Sequence, residues 1–126
     1  MSIIHIEATE RSPELHFDFD ANEFYLRGES YPEDIKEFYG SPITQLQDHL
    51  GAIENAALQF TFHFLYFNSS TAKIIMGLFD LLDAAAARGN RVDITWAFEK
   101  DDDNLEELGE EFGEDLKHAS FKLVAR

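Results

Sequence analysis

The sequence predicts an α/β protein with a mixed sheet, in which an N-terminal antiparallel hairpin is followed by β-α-β-α-β and the helices lie mainly on one face. Three observations lead there. Residues 57–67 alternate strictly, with Leu58, Phe60, Phe62, Phe64 and Tyr66 on one side and Gln59, Thr61 and His63 on the other. One face of that strand is apolar and the other partly polar, the pattern of a sheet covered mainly on one side. From about Thr71 to Arg88, Ile74, Ile75, Leu78, Phe79, Leu81, Leu82 and Ala85 form a broad apolar arc, with Lys73, Asp80 and Asp83 opposite. Two further strands, carried by Val92, Ile94, Trp96 and Phe98 and then by residues 120–125, flank a short helix. Crossovers of this kind call for parallel pairing with right-handed connections.

The remaining elements follow in order. Ile3 to Glu7 reads as a first strand, and residues 8–13 as a polar loop in which Pro13 biases Ser12 away from helix. Glu14 to Phe19 and Glu23 to Arg27 are short strands joined by the tight connection Asp20-Ala-Asn22, a hairpin signal. Ser30-Tyr-Pro-Glu33 has the form of a capping box opening a helix, with Pro tolerated in the first turn. Ile35, Phe38 and Tyr39 supply its apolar side. Gly40-Ser-Pro42 is expected to break or kink this helix before Ile43, Leu46, Leu50 and Ile53 continue it. Gly89 is a natural C-cap after the central helix, and residues 101–104 offer an N-cap to a helix near Leu105 to Leu116.

Residues 1–126 are read as one domain, long enough for a single core. Twelve Phe and 44% hydrophobic residues argue for a packed globule rather than a disordered chain. The absence of cysteine excludes disulfides, thiolate nucleophiles and cysteine-bound metals. No apolar run is long enough to span a bilayer, and the first residues lack the basic and apolar segments of a secretory signal. The expected compartment is the cytoplasm. A formal net charge of −15 opposes binding to nucleic acid or an anionic membrane surface and favours partners with a basic or apolar patch. It also serves simply to keep the protein soluble.

The candidate site is Asn68-Ser69-Ser70-Thr71, where the central strand ends and its helix begins. Open α/β sheets place functional groups at this position. Helix capping accounts for one or two of these residues and leaves the others unexplained. A phosphate on such a hydroxyl adds close to two negative charges, which the helix N-terminus tolerates and a docked partner does not. Met76 and Gly77 lie near the polar stripe of the same helix, either as a landing place for a partner's helix or as a peripheral core position. Other chemistry is poorly supported. His5, His16, His49, His63 and His118 show no metal-ligand spacing. Asp18-x-Asp20-x-Asn22 with Glu29 imitates a calcium loop, but Glu23 stands where Gly is required and strands flank it. There is no Gly-rich phosphate loop and no GxSxG elbow, and no cofactor is indicated.

Three stretches together resemble a known family: Ala8-Thr9 with Ser12-Pro13-Glu14, Gly28-x-Ser30-Tyr31-Pro32-Glu33, and Leu65-Tyr66-Phe67-Asn68-Ser69-Ser70 with Lys73 beyond. The chain resembles the SiaC family of bacterial regulatory phosphoproteins over essentially its whole length, and its sheet is similar to that of STAS domains. The resemblance implies a non-enzymatic switch in biofilm and cyclic di-GMP signalling. A serine/threonine kinase of the SiaB type would phosphorylate Ser69, with Ser70 and Thr71 as neighbours. A PP2C-type phosphatase of the SiaA type would remove the phosphate. The unphosphorylated form would bind and activate a diguanylate cyclase of the SiaD type through Asn68, Ser69, Ser70, Thr71, Lys73, Met76 and Gly77. A well-known member carries Thr where this chain has Ser69, and Asn68 replaces the Asp of STAS domains. Two alternatives stand beside this reading: an anti-sigma factor antagonist acting by partner switching, and a small hydrolase or metal-dependent enzyme using His63 with the Ser-Ser-Thr turn.

Overall fold

In the computed structural model, which describes residues 3–126, a single six-stranded sheet runs in chain order β1-β2-β3-β4-β5-β6. The strands are β1 (Ile3–Ile6), β2 (Glu14–Asp18), β3 (Glu23–Ser30), β4 (Ala57–Phe67), β5 (Arg91–Phe98) and β6 (Ser120–Ala125). The helices are α1 (Ile35–Ala52), α2 (Ser69–Ala87) and α3 (Asp103–Gly113), each between successive strands from β3 onward. β1, β2 and β3 pair antiparallel, and β3 through β6 pair parallel. The expected architecture is therefore the observed one. All three crossovers step across the sheet in the same direction, so the right-handed rule sends every helix to the same face.

That face holds the core. Leu15, Phe17, Phe24, Leu26, Leu58, Phe60, Phe62, Phe64, Ile94 and Trp96 point into it from the sheet, and Leu46, Ile75, Leu78 and Leu82 meet them from the helices. Trp96 sits where Phe62, Phe79 and Phe112 converge, with ring centroids 5.4–6.3 Å from its own. Its indole N–H donates to the Leu105 carbonyl at 3.0 Å, which ties α3 to the sheet. The opposite face is polar. There the Glu14 carboxylate accepts from Arg27 at 2.6 Å and Tyr25 at 2.9 Å, and lies 3.0 Å from His5 Nε2.

Four sequence expectations need correction. Ser30 does not cap α1. It ends β3, and Asp34 caps the helix by accepting the Glu37 N–H at 3.0 Å. The Ser30 hydroxyl is withheld because it belongs to a buried cluster described below. The expected interruption at Gly40-Ser-Pro42 does not divide the element, since Pro42 lies buried inside one 18-residue helix. α2 opens at Ser69 rather than near Thr71. Finally, the alternation of β4 fails at its end. Gly28 pairs with Phe64 but Glu29 pairs with Tyr66, so Leu65 is an extra residue and the parity flips. Phe67, not Tyr66, then packs on Trp96 and Phe112. Gly28, on the partner strand just before the register shift, has φ 123°, a backbone conformation that favours glycine.

Candidate functional site

The bulge places the end of β4 so that the polar residues of the β4–α2 junction take three different roles. Asn68 is the cap: its backbone is extended, and its side-chain oxygen accepts the Thr71 N–H at 2.9 Å. Thr71 is a lock. It is fully buried, its hydroxyl donates to the Ser30 carbonyl at 3.1 Å, and it lies 2.9 Å from Ser30 Oγ. Ser30 Oγ in turn lies 2.6 Å from the Tyr39 hydroxyl. Burial pushes the Tyr39 phenol up to about 12, against the opposing pull of the Ser30 and Thr71 hydroxyls, so it stays neutral. Ser69 and Ser70 remain. Both are exposed, and neither hydroxyl forms a hydrogen bond among the described residues.

Around these two serines the three resemblance-bearing stretches come together. The Asn68 N–H donates to the Ser30 carbonyl at 3.2 Å, joining the α2 start to the end of β3. The Tyr31 N–H donates to the Arg11 carbonyl at 2.7 Å, and the Arg11 guanidinium pairs with Glu33 at 2.7 Å. Thr9 holds that loop in shape by accepting the Ser12 N–H at 3.0 Å. The Tyr31 ring meets Tyr66 edge-on, with centroids 5.8 Å apart. Leu65, Tyr66 and Met76 are 46–52% exposed, so this end of the molecule turns large apolar side chains toward solvent. Ser69, Ser70, Lys73, Met76 and Gly77 form a continuous exposed line on α2, at the three- and four-residue spacing of one helix face.

The sequence-predicted residues are thus brought together with one exception. Thr71, expected at the surface, is withdrawn into the Ser30–Tyr39 cluster, where its hydroxyl bonds Ser30. The expected choice for Met76 and Gly77 resolves toward solvent, with no atom within 4 Å of a side chain built at Gly77. Ser30, Tyr31 and Tyr39 were not singled out as site residues. Ser30 was readable, since it follows Phe24 and Leu26 at even spacing and so points inward from β3.

The remaining candidates lie elsewhere. His63 is 2.8 Å from Glu99 and makes no hydrogen bond to the serine turn among the described residues. Asp18 accepts the Ala21 N–H at 3.0 Å, and Asn22 lies 2.6 Å from His49, so the calcium-like spacing is spent on the hairpin turn. Among the described residues no group of three or more His, Asp or Glu is arranged to hold a metal ion, and no helix is long and apolar enough to cross a membrane.

Comparison with known proteins agrees with this geometry. Residues 6–126 match the family described as SiaC family regulatory phosphoprotein. A protein of Pseudomonas aeruginosa (strain UCBPP-PA14) is 34% identical over 115 residues, covering 91% of this chain and 90% of that one. The crystal structure of apo-SiaC from Pseudomonas aeruginosa superposes with a TM-score of 0.88 at 34% identity, covering 99% of this chain and 100% of the other. A chain in the crystal structure of diguanylate cyclase SiaD in complex with its activator SiaC, from the same organism, gives 0.90 at 32% identity, covering 98% and 99%. With the family matched over nearly the whole chain and the fold shared throughout, this protein belongs to the SiaC family of regulatory phosphoproteins.

Proposed function

We propose that this protein is a signalling switch whose unphosphorylated form binds and activates a diguanylate cyclase, and whose phosphorylation at Ser69 ends that contact. A kinase of the SiaB type adds the phosphate and a PP2C-type phosphatase of the SiaA type removes it, in the cytoplasm where ATP is available. The chain itself needs no catalytic group. The observation that carries this reading is the division of labour at the β4–α2 turn. Asn68 and Thr71 build the helix start, and an unengaged Ser69 hydroxyl is left beside exposed Leu65, Tyr66 and Met76. The SiaC structure solved with diguanylate cyclase SiaD supports the choice of partner.

The physical logic is differential. On its own protein, a phosphate at the first position of α2 meets free backbone N–H groups and the positive end of the helix. Lys73, one turn along, is exposed and without an ion pair among the described residues, so it is free to approach the new charge. For a partner packed on Tyr66 and Met76, the same dianion must be stripped of water without compensation. Ser69→Asp is expected to abolish stimulation of the cyclase while Ser69→Ala retains it, measured as the rate of cyclic di-GMP formation. Equal stimulation by the two variants would refute the switch. Ser70→Ala is expected to remain phosphorylatable, with the modified residue read by peptide mapping.

A further inference from the structure

Below the serine turn, the exposed line of α2 opens into a groove between α2 and α3 of about 270 Å³. Met76, Phe79 and Phe112 form its apolar lining, and the carboxylates of Asp80, Glu111 and Asp115 complete it. None of these three carboxylates holds an ion pair among the described residues, and the groove lining contains no cation. At its α2 edge stands Gly77, where an added side chain would meet no atom within 4 Å. Exposed Ala84 continues the same line, so small residues leave room for another backbone to approach closely. From Lys73 to Ala84 this line spans about 17 Å, or three turns of a helix lying alongside.

From these features we infer that the α2–α3 groove is the seat for a cationic amphipathic helix of the partner, with an apolar ridge on Met76, Phe79 and Phe112 and Lys or Arg side chains against Asp80, Glu111 and Asp115. This rests on the switch reading above and extends it, because it names the chemistry of the segment that docks. Charge complementarity selects a basic helix: an acidic or purely apolar one would leave three carboxylates facing like charge or hydrocarbon. Helix-in-groove docking accounts for the flexible Met and the small residues along the rim. The groove's own charge is unchanged when Ser69 is phosphorylated, and a dianion at Ser69 does not repel a basic helix. Release on phosphorylation therefore acts at the Leu65–Tyr66 end through desolvation and bulk, while the groove supplies affinity and orientation.

The test uses the intact protein and the diguanylate cyclase that it stimulates, with affinity measured by titration at two salt concentrations. Gly77→Arg and the double reversal Asp80→Lys/Asp115→Lys change exposed positions, and circular dichroism with a thermal melt checks that each remains folded. Each is expected to weaken binding at least about tenfold, and the double reversal is expected to flatten the salt dependence as well. Hydrogen exchange on the complex is expected to protect residues 73–84 and 107–116, together with a helical segment of net positive charge in the cyclase. If the complex forms, is lost with Ser69→Asp, and is indifferent to both groove variants, the groove is refuted and the switch stands. Protection of an acidic segment of the cyclase, or of the polar sheet face, refutes it equally. Failure of the unmodified protein to form any complex overturns the switch reading and this inference with it.

Discussion

Ser69 and Thr71 stand two positions apart on the same helical turn and meet opposite environments, one in solvent and one fully buried. What separates them is the buried Ser30–Tyr39 cluster that Thr71 joins. Asn68 takes the Thr71 N–H, the Thr71 hydroxyl bonds Ser30, and the Ser30–Tyr39 pair completes a buried polar cluster. Thr71→Val is expected to cost about 1–2 kcal/mol in urea unfolding, since it strands buried oxygens, whereas Ser69→Ala is expected to stay within about 0.5 kcal/mol. Glu14 offers a second residue-level check. The Arg27 guanidinium holds its carboxyl down at about 2, against the upward pull of burial and with help from Tyr25 and His5. A depressed folded-state value means that its stabilisation is complete above its ordinary value of 4.5 and is lost as the pH falls toward 2. Because Arg27 is largely exposed, solvent screening limits the effect. Glu14→Gln is expected to destabilise the protein by about 1 kcal/mol at pH 7, and the gap in melting temperature is expected to close on acidification over that window. Of all this, the sequence revealed that the turn carried more hydroxyls than a cap consumes. Which hydroxyl turned inward was decided by Ser30 and Tyr39, from elements far along the chain, and local spacing carries no record of that.

At the scale of elements, β4 and α2 were legible because their periods are strong: four large apolar residues at even positions, then an arc spaced for a helix. The errors fall where tertiary contacts override a local signal. Ser30-x-x-Glu33 and Asp34-x-x-Glu37 are competing cap signals, and Asp34 caps because the Ser30 hydroxyl is already occupied. The bulge at Leu65 was hidden because Leu65, Tyr66 and Phe67 are all compatible with either face. That bulge shapes the candidate site, since it turns Tyr66 outward against Tyr31 and sends Phe67 to the core. α3 is held differently, by close approach. A side chain at Gly109 would overlap the Trp96 ring, which also binds the Leu105 carbonyl. Gly109→Ala is therefore expected to destabilise the fold by about 1–3 kcal/mol despite its better helix propensity, measured by denaturant titration. A stabilised variant would contradict the packing of α3 described here.

Across the whole molecule, sheet order equal to chain order has one large consequence. Every crossover lands on one face, so the opposite face stays polar, and the candidate site gathers at one end of the sheet. The three separated stretches that resemble the family lie within contact of one another there, at the carboxyl ends of β3 and β4. The net charge of −15 was readable from composition, but its placement was not. Only the fold sets Asp80, Glu111 and Asp115 around one apolar groove. The most direct test of the account compares the diguanylate cyclase affinity of the unmodified protein with that of protein carrying a single phosphate mapped to Ser69. The account predicts a loss of at least about 100-fold on phosphorylation, with the circular dichroism spectrum and melting transition preserved. Equal affinity of the two forms, or a phosphate accepted only after unfolding, would contradict it.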